Sequence, residues 1–446
     1  MHGLAGTALT ADCALRYASS LATWAGKNSR IALAMDSRIS SPMLRSACLA
    51  GLLSCGVRVT DCGICPAPLL HFCVMKEHLD GALLIGAGHH PAGWNAIVPV
   101  SERGSCLTPG QSQELLDIYH SGIYSFSPWS EVGTVNHADA GSLMESYLDR
   151  LCSFVDADSV RKRHFRILCD FCNGSGGVVC DAFAERFGIE MISLNRTVSG
   201  ILPHDPEPRP RSSVQLASLM PYLKADAGFV FNSDVSRVAL VTDTGETLSE
   251  EYSFPLAADH ILSASPRGTP VVTNCCTTKT LDDIVSRHGG VLHKSGVGQA
   301  WTIDKMMESS AVIAGDGSGS AAFARGVPAF DGFAVMAVIL EAMAKSGRTS
   351  SALAAELPRY HIVKTSFSCP SFHACHLLRS LRGAFPDAEL SEEDGLRFDW
   401  PDGWVHLRAS MTEPVVRLIV EWKDRETAER RSMAFRSMTE RILSEP

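Results

Sequence analysis

The sequence predicts a multidomain α/β protein: three related α/β units followed by a separate α+β domain. Three observations lead there. The chain has 446 residues, too many for one ordinary core, which leads to two to four domains. Strand-like apolar runs alternate with helix-like segments, and the pattern restarts near residues 140 and 255. From about residue 357 it changes to amphipathic strands and an Arg-rich C-terminal helix.

In the first unit, residues 31–35 form an apolar strand. Ser40-Ser41-Pro42 then opens a helix, with a serine cap and proline in the first turn. Met43, Leu44, Ala47, Cys48 and Leu52 follow at helical spacing, and Gly56 closes it. Residues 57–60 are the next strand of a βαβ unit, and 82–85 extend the same sheet. That strand hands over to Gly86-Ala87-Gly88-His89-His90-Pro91, a Gly-rich turn with two adjacent histidines. Loops at strand ends are where α/β proteins place chemistry. The second unit has strands at 165–169, 189–194 and 228–231, and a Pro-rich loop around His204-Asp205-Pro206-Glu207-Pro208. Its last strand leads into Asn232-Ser233-Asp234-Val235-Ser236-Arg237. The third unit has strands at 271–273 and 311–314, the latter ending in Gly315-Asp316-Gly317-Ser318-Gly319-Ser320. A long apolar helix at 333–345 stops at Gly347, and the polar stretch 346–356 reads as a linker.

Hydrophobic content of 45% and charged content of 20% are those of a folded globular chain. The formal charge of −9 argues against a general nucleic-acid binder but leaves room for a local anion site. No apolar run reaches 18 residues and no segment reads as a signal peptide, so the expectation is a soluble cytoplasmic protein with no membrane partner. The 15 cysteines, many in apolar runs, read as small core residues of a reducing compartment. Two CxxC pairs, Cys62/Cys65 and Cys169/Cys172, make a shared zinc site the lesser alternative.

Read together, these segments resemble the α-D-phosphohexomutases, the phosphoglucomutase/phosphomannomutase superfamily. Gly3-Leu4-Ala5-Gly6 resembles the family's GIRG. Asp36-Ser37-Arg38-Ile39-Ser40-Ser41-Pro42 is similar to DxRxSSP, and Gly63-Ile64-Cys65-Pro66-Ala67-Pro68 to GxxPTP. The His-His turn stands where the family has TASHNP, and residues 232–237 where it has the metal loop DGDxDR. Residues 315–320 resemble the sugar-reading GExSGH. Arg408-Ala409-Ser410-Met411-Thr412-Glu413-Pro414, with Arg417, resembles the phosphate loop RxSGTEP. The resemblance implies four domains around a central cleft: residues 1–138 with the nucleophile-position loop, 139–245 with the metal loop, 246–352 with the sugar-reading loop and 353–446 with the phosphate loop. It implies an intramolecular phosphotransferase, an isomerase of carbohydrate metabolism, in which a phosphoserine exchanges its phosphoryl group with a sugar phosphate through a hexose 1,6-bisphosphate.

The chain departs from that pattern where the chemistry is done. The serine position is Gly88, which has no side chain to phosphorylate. Asn232 and Ser236 replace the outer aspartates of the metal loop and leave Asp234 alone. Magnesium favours hard anionic oxygens, so a weak or absent metal site is expected at Asp234. The GIRG arginine is Ala5, and the sugar loop has Asp316 and Ser320 for Glu and His. The phosphate end keeps Arg408, Ser410, Thr412 and Arg417, and arginine pairs two phosphate oxygens at once. Arg237 and Arg38 remain near the nucleophile position, and Asp316 and Ser318 are placed to meet sugar hydroxyls.

The leading expectation is a hexose-phosphate-binding pseudoenzyme of this family that has lost standard phosphoserine turnover. Two alternatives stay open. His89 or His90 could replace the serine as phosphoryl carrier or base, with Arg38 beside it. Or the cleft is vestigial in an interaction protein whose partner the sequence leaves unknown.

Overall fold

The computed structural model describes residues 1–410 and 414–444. It consists of four sheets with their helices. The first sheet runs His2–Leu4, Trp94–Ser101, Gly81–Ile85, Arg30–Met35, Arg58–Ile64 and Thr134–His137. The second orders Val238–Thr242, Ala227–Phe231, Arg166–Asp170 and Glu190–Leu194, and the third Val291–Ser295, Pro270–Asn274, Ile313–Asp316 and Ser320–Phe323. Each of these three sheets has parallel strands at its centre and an antiparallel return at one side. The last sheet is wholly antiparallel: His361–Ser368, Val415–Trp422, Gly403–Ala409, Leu396–Trp400 and Glu389–Ser391.

The apolar runs explain the strands. Gly81–Ile85 and Ala227–Phe231 are buried at every position, as expected of strands covered on both faces. The helix Gly332–Ser346 is buried at every residue from Gly332 to Met343, so it behaves as an interior element. Its Phe333 packs on Phe171, Phe183 and Phe231 of the second unit, which joins the second and third units in one core. The last domain has its own core around Phe398, Trp400, Val405, Leu418 and Phe435.

Two local expectations change. Ser40 has helical backbone angles and makes no cap bond; its Oγ accepts instead from Asn95 Nδ2 at 2.8 Å. The stretch read as a linker contains a helix, Ser350–Ala355, capped by Thr349. It is pinned to the second unit, where Ser350 Oγ donates to Asp226 O at 2.7 Å and the Ser351 amide donates to Asp243 Oδ1 at 2.8 Å.

In the first three domains the loop singled out in the sequence is the turn of an antiparallel strand pair. Residues 86–93 join Gly81–Ile85 to Trp94–Ser101, and 232–237 join Ala227–Phe231 to Val238–Thr242. Residues 317–319 join Ile313–Asp316 to Ser320–Phe323, and 410–414 lie between Gly403–Ala409 and Val415–Trp422. Hairpin turns fixed by sheet registers give these loops rigid supports.

Candidate active site

The turn after Ile85 is organised from beneath by Arg38, which is 1% exposed. Its Nε donates to Asp36 Oδ2 at 3.0 Å, Nη1 to the carbonyls of Pro91 (2.7 Å) and Trp94 (3.1 Å), and Nη2 to those of Gly88 (3.1 Å) and His90 (2.6 Å). A guanidinium has five N–H donors, and here one goes to Asp36 and the other four to carbonyls of residues 88–94. Asp36 also accepts from Ser41 Oγ and from the Arg38 and Ala87 amides. Arg38 is thus placed as the clamp of the turn, away from the cleft wall.

Gly88 has φ +50°, the left-handed region that favours glycine. A Cβ on it would meet Asp234 Oδ2 at 2.6 Å and Asn232 Nδ2 at 3.3 Å. The side-chain direction at the serine position therefore points at the Asp234 carboxylate. Ser233 Oγ donates to Gly88 O at 2.7 Å and fastens the two turns together. Beside Gly88, His89 stacks on His90 at 4.5 Å between ring centroids, and His90 stacks on Trp94 at 5.3 Å and His2 at 5.5 Å. Burial, with Arg237 and His90 nearby, pushes the His89 imidazole down to about 2, so the ring is neutral.

Asp234 is the one carboxylate of its turn. Its Oδ1 accepts from Asn232 Nδ2 (2.8 Å), from the Ser236 amide (3.0 Å) and from Ser236 Oγ (2.6 Å). Asn232 Oδ1 accepts from the Arg237 amide at 3.0 Å. Asp234 Oδ1 and Asn232 Oδ1 are thus already committed to donors, and the turn offers a single carboxylate to a cation that favours several anionic oxygens, so this residue set does not fit a magnesium site. No group of three His, Cys, Asp or Glu arranged for a metal occurs among the described residues, the CxxC pairs included.

The turns open on a cleft of about 200 Å³ walled by all four domains. His89, Arg237, Asp316, Ser318, Arg408 and Arg417 line it, and the sequence expectations had named each of them. Arg408 and Arg417 face one another across neighbouring strands, with Arg408 Nη1 3.4 Å from Asp394 Oδ2. Ser410 donates its amide to Val415 O at 2.9 Å, and Thr412 lies outside the described residues. In the sugar-reading turn, Asp316 Oδ1 accepts from the Ser318 amide at 3.0 Å and from Ser318 Oγ.

The cleft wall also holds residues that the sequence reading did not single out: Glu207, Arg209, Asn274, Cys276, Lys364 and His406. Glu207 lies between Arg237 (3.2 Å) and Arg209 (2.6 Å). Their signal was the charged pair in the stiff Glu207-Pro208-Arg209-Pro210 segment. Lys364 lies 2.6 Å from Glu251 and 3.2 Å from Glu250. Burial pushes the Glu251 carboxyl up to about 8, against the pull of Lys364. Cys276 Sγ is 3.1 Å from His406 Nδ1, while His406 Nε2 donates to Asp394 O at 2.6 Å.

Comparison with known proteins fits this arrangement. Models of the phosphoglucomutase/phosphomannomutase family match in four consecutive stretches: alpha/beta/alpha domain I at residues 1–124, domain II at 145–245, domain III at 249–360 and the C-terminal domain at 373–438. The chain is 30% identical over 425 residues to a probable phosphoglucosamine mutase of Thermococcus gammatolerans, covering 94% of this chain and 92% of that one. It is 28% identical over 441 residues to a phosphoglucomutase/phosphomannomutase of Thermococcus kodakarensis, covering 96% and 94%. Among solved structures, a phosphoglucomutase/phosphomannomutase family protein of Burkholderia thailandensis gives a TM-score of 0.87 at 25% identity, covering 100% of this chain and 96% of that one. Four domains in the family's order, each contributing residues to one cationic cleft, agree with these matches: the chain belongs to the phosphoglucomutase/phosphomannomutase family of the α-D-phosphohexomutase superfamily.

Proposed function

We propose that the cleft binds phosphorylated hexoses and that the standard mutase cycle, which needs a phosphoserine at position 88, does not run. The phosphate is held by Arg408 and Arg417, with Ser410 and Thr412 of the same loop. The sugar hydroxyls meet Asp316 and Ser318. Arg237 and Arg209 supply positive charge at the far end, where His89 is a neutral hydrogen-bonding contact and His90 supports it by stacking. The observation that carries the reading is the meeting, in one cleft, of cations at both ends with a glycine whose side-chain direction is filled by Asp234 at 2.6 Å. Relatives named phosphoglucosamine mutase support hexosamine phosphates among the ligands.

Titration calorimetry with glucose 1-phosphate, mannose 1-phosphate and glucosamine 6-phosphate tests the binding. A coupled mutase assay with added hexose 1,6-bisphosphate tests turnover. Binding with turnover at least about a thousandfold below that of an active family member is expected, since loss of a nucleophile removes most of the rate. Full turnover, or no affinity for any of the three sugars, would refute the reading.

A further inference from the structure

We propose that Ser236 is a phosphoryl acceptor in this protein, with Asp234 taking its proton. The inference rests on the hexose-phosphate reading of the cleft. It concerns a hydroxyl on the turn opposite Gly88, at a position where the family pattern has a metal-binding aspartate.

Ser236 Oγ donates to Asp234 Oδ1 at 2.6 Å, so a hydroxyl and a carboxylate are already joined as nucleophile and proton acceptor. Asn232 holds the pair in place: its Nδ2 donates to Asp234 Oδ1 at 2.8 Å and to Ser236 Oγ at 3.0 Å. A serine hydroxyl has one hydrogen and two lone pairs. The hydrogen goes to Asp234 and one lone pair to Asn232, which leaves the second lone pair to attack. Ser236 is partly exposed, and Arg237, its neighbour in the chain, lines the cleft. Gly88 contributes by what it lacks, because a Cβ there would displace the Asp234 carboxylate that binds Ser236. The loss of a serine on one turn and the gain of one on the facing turn thus describe one rearranged site.

The donor is a hexose bisphosphate. Ser236 Oγ attacks phosphorus, the new Oγ–P bond forms, and the bond from phosphorus to the sugar oxygen breaks. The Ser236 proton passes to Asp234 and from there through solvent to the departing sugar oxygen. The products are phosphoserine and a hexose monophosphate. An aspartate accepting a hydroxyl proton is an ordinary part of phosphoryl transfer, in which positioning and charge neutralisation do most of the work. His89 is the weaker acceptor. The surroundings that keep its ring neutral, Arg237, Arg209 and Arg38 among them, equally oppose the positive charge that would build on the ring as phosphorus bonds to nitrogen.

The test is intact-mass analysis of the full chain after incubation with glucose 1,6-bisphosphate, followed by peptide mapping. One added phosphoryl group is expected, stable to acid, labile to alkali and located at Ser236. Ser236→Ala should abolish the gain, Ser236→Thr should retain part of it, and Asp234→Asn should slow it by about a hundredfold or more. Circular dichroism confirms that each variant is folded. A label at His89, or an unchanged gain in Ser236→Ala, overturns the proposal. So does calorimetric binding of the bisphosphate without any mass gain, an outcome that leaves the hexose-phosphate reading standing. Absence of binding overturns that reading as well.

Discussion

The two ends of the cleft handle charge in opposite ways. At the end built from the first and second domains, the charged groups of the turns are satisfied from within. Arg38 gives all five donors to its own loop and to Asp36, and Asp234 Oδ1 has three donors. At the last domain's end, Arg408 Nη1 lies 3.4 Å from Asp394 Oδ2, and Arg417 stands across from it on the cleft wall. The first end is held together by bonds within the protein; the second presents its two arginines on the cleft wall. Substitution should therefore show mainly as lost stability at the first end and as lost affinity at the second.

The largest effect expected is on Arg38. Arg38→Ala leaves Asp36 buried without its cation and frees four loop carbonyls, which should lower unfolding free energy by about 3–5 kcal/mol in a urea titration. A loss below about 1 kcal/mol would mean that the turn does not depend on its clamp. At the other end, Arg408→Ala or Arg417→Ala should weaken hexose-phosphate binding by about tenfold to a hundredfold with little change in Tm, as each removes a charge-assisted contact. Unchanged affinity in calorimetry would break the comparison. Gly88→Ser should cost about 1–2 kcal/mol from the left-handed backbone alone, and more through the contact with Asp234. A stabilised Gly88→Ser protein would contradict the packing described here.

A pH effect is expected behind the first end, at His204. Burial works against its charge, but Asp170, 3.1 Å away, and Cys172 outweigh it and push the imidazole up to about 11. The folded value lies above the unfolded value of about 6.5. The stabilisation is therefore fully present below about pH 6.5 and is lost as pH rises toward 11. The difference in urea midpoint between the wild type and His204→Gln should shrink steadily from pH 7 to pH 10; a constant difference would show that the ion pair is not its source. The smallest effect is for His89→Gln. Replacing one neutral hydrogen-bonding side chain with another should change affinity less than about tenfold, and by the same factor at pH 6 and pH 8, since His89 is uncharged at both.

Much of this site was legible in the sequence because apolar runs ending in Gly-rich turns mark strand ends. Ile85, Phe231 and Asp316 end strands, and the turn that follows each reaches the cleft. Gly88 was legible as a loss because a missing side chain needs no geometry to be recognised. The antiparallel returns were not, since the pairing of Trp94–Ser101 with Gly81–Ile85 depends on register rather than composition. Arg209, Lys364 and His406 escaped for a related reason: their segments meet only in the folded cleft. Arg38 shows the converse limit. Its motif was readable, but its four bonds to the carbonyls of the His-His turn and its pairing with Asp36 were not.

Asp394 carries a consequence for motion. Besides facing Arg408 at 3.4 Å, its Oδ2 accepts the Val297 amide at 2.9 Å, so the carboxylate bridges the third and fourth domains. The same boundary is fastened by Glu421 on the Lys279 amide at 2.7 Å and by Arg397 on Cys275 O at 2.5 Å. An anion that draws Arg408 to itself changes what Asp394 offers to that boundary. Occupancy of the cleft and the strength of that boundary are then two readings of one equilibrium: whatever weakens the boundary must alter affinity, and by the same factor a bound ligand must alter the boundary.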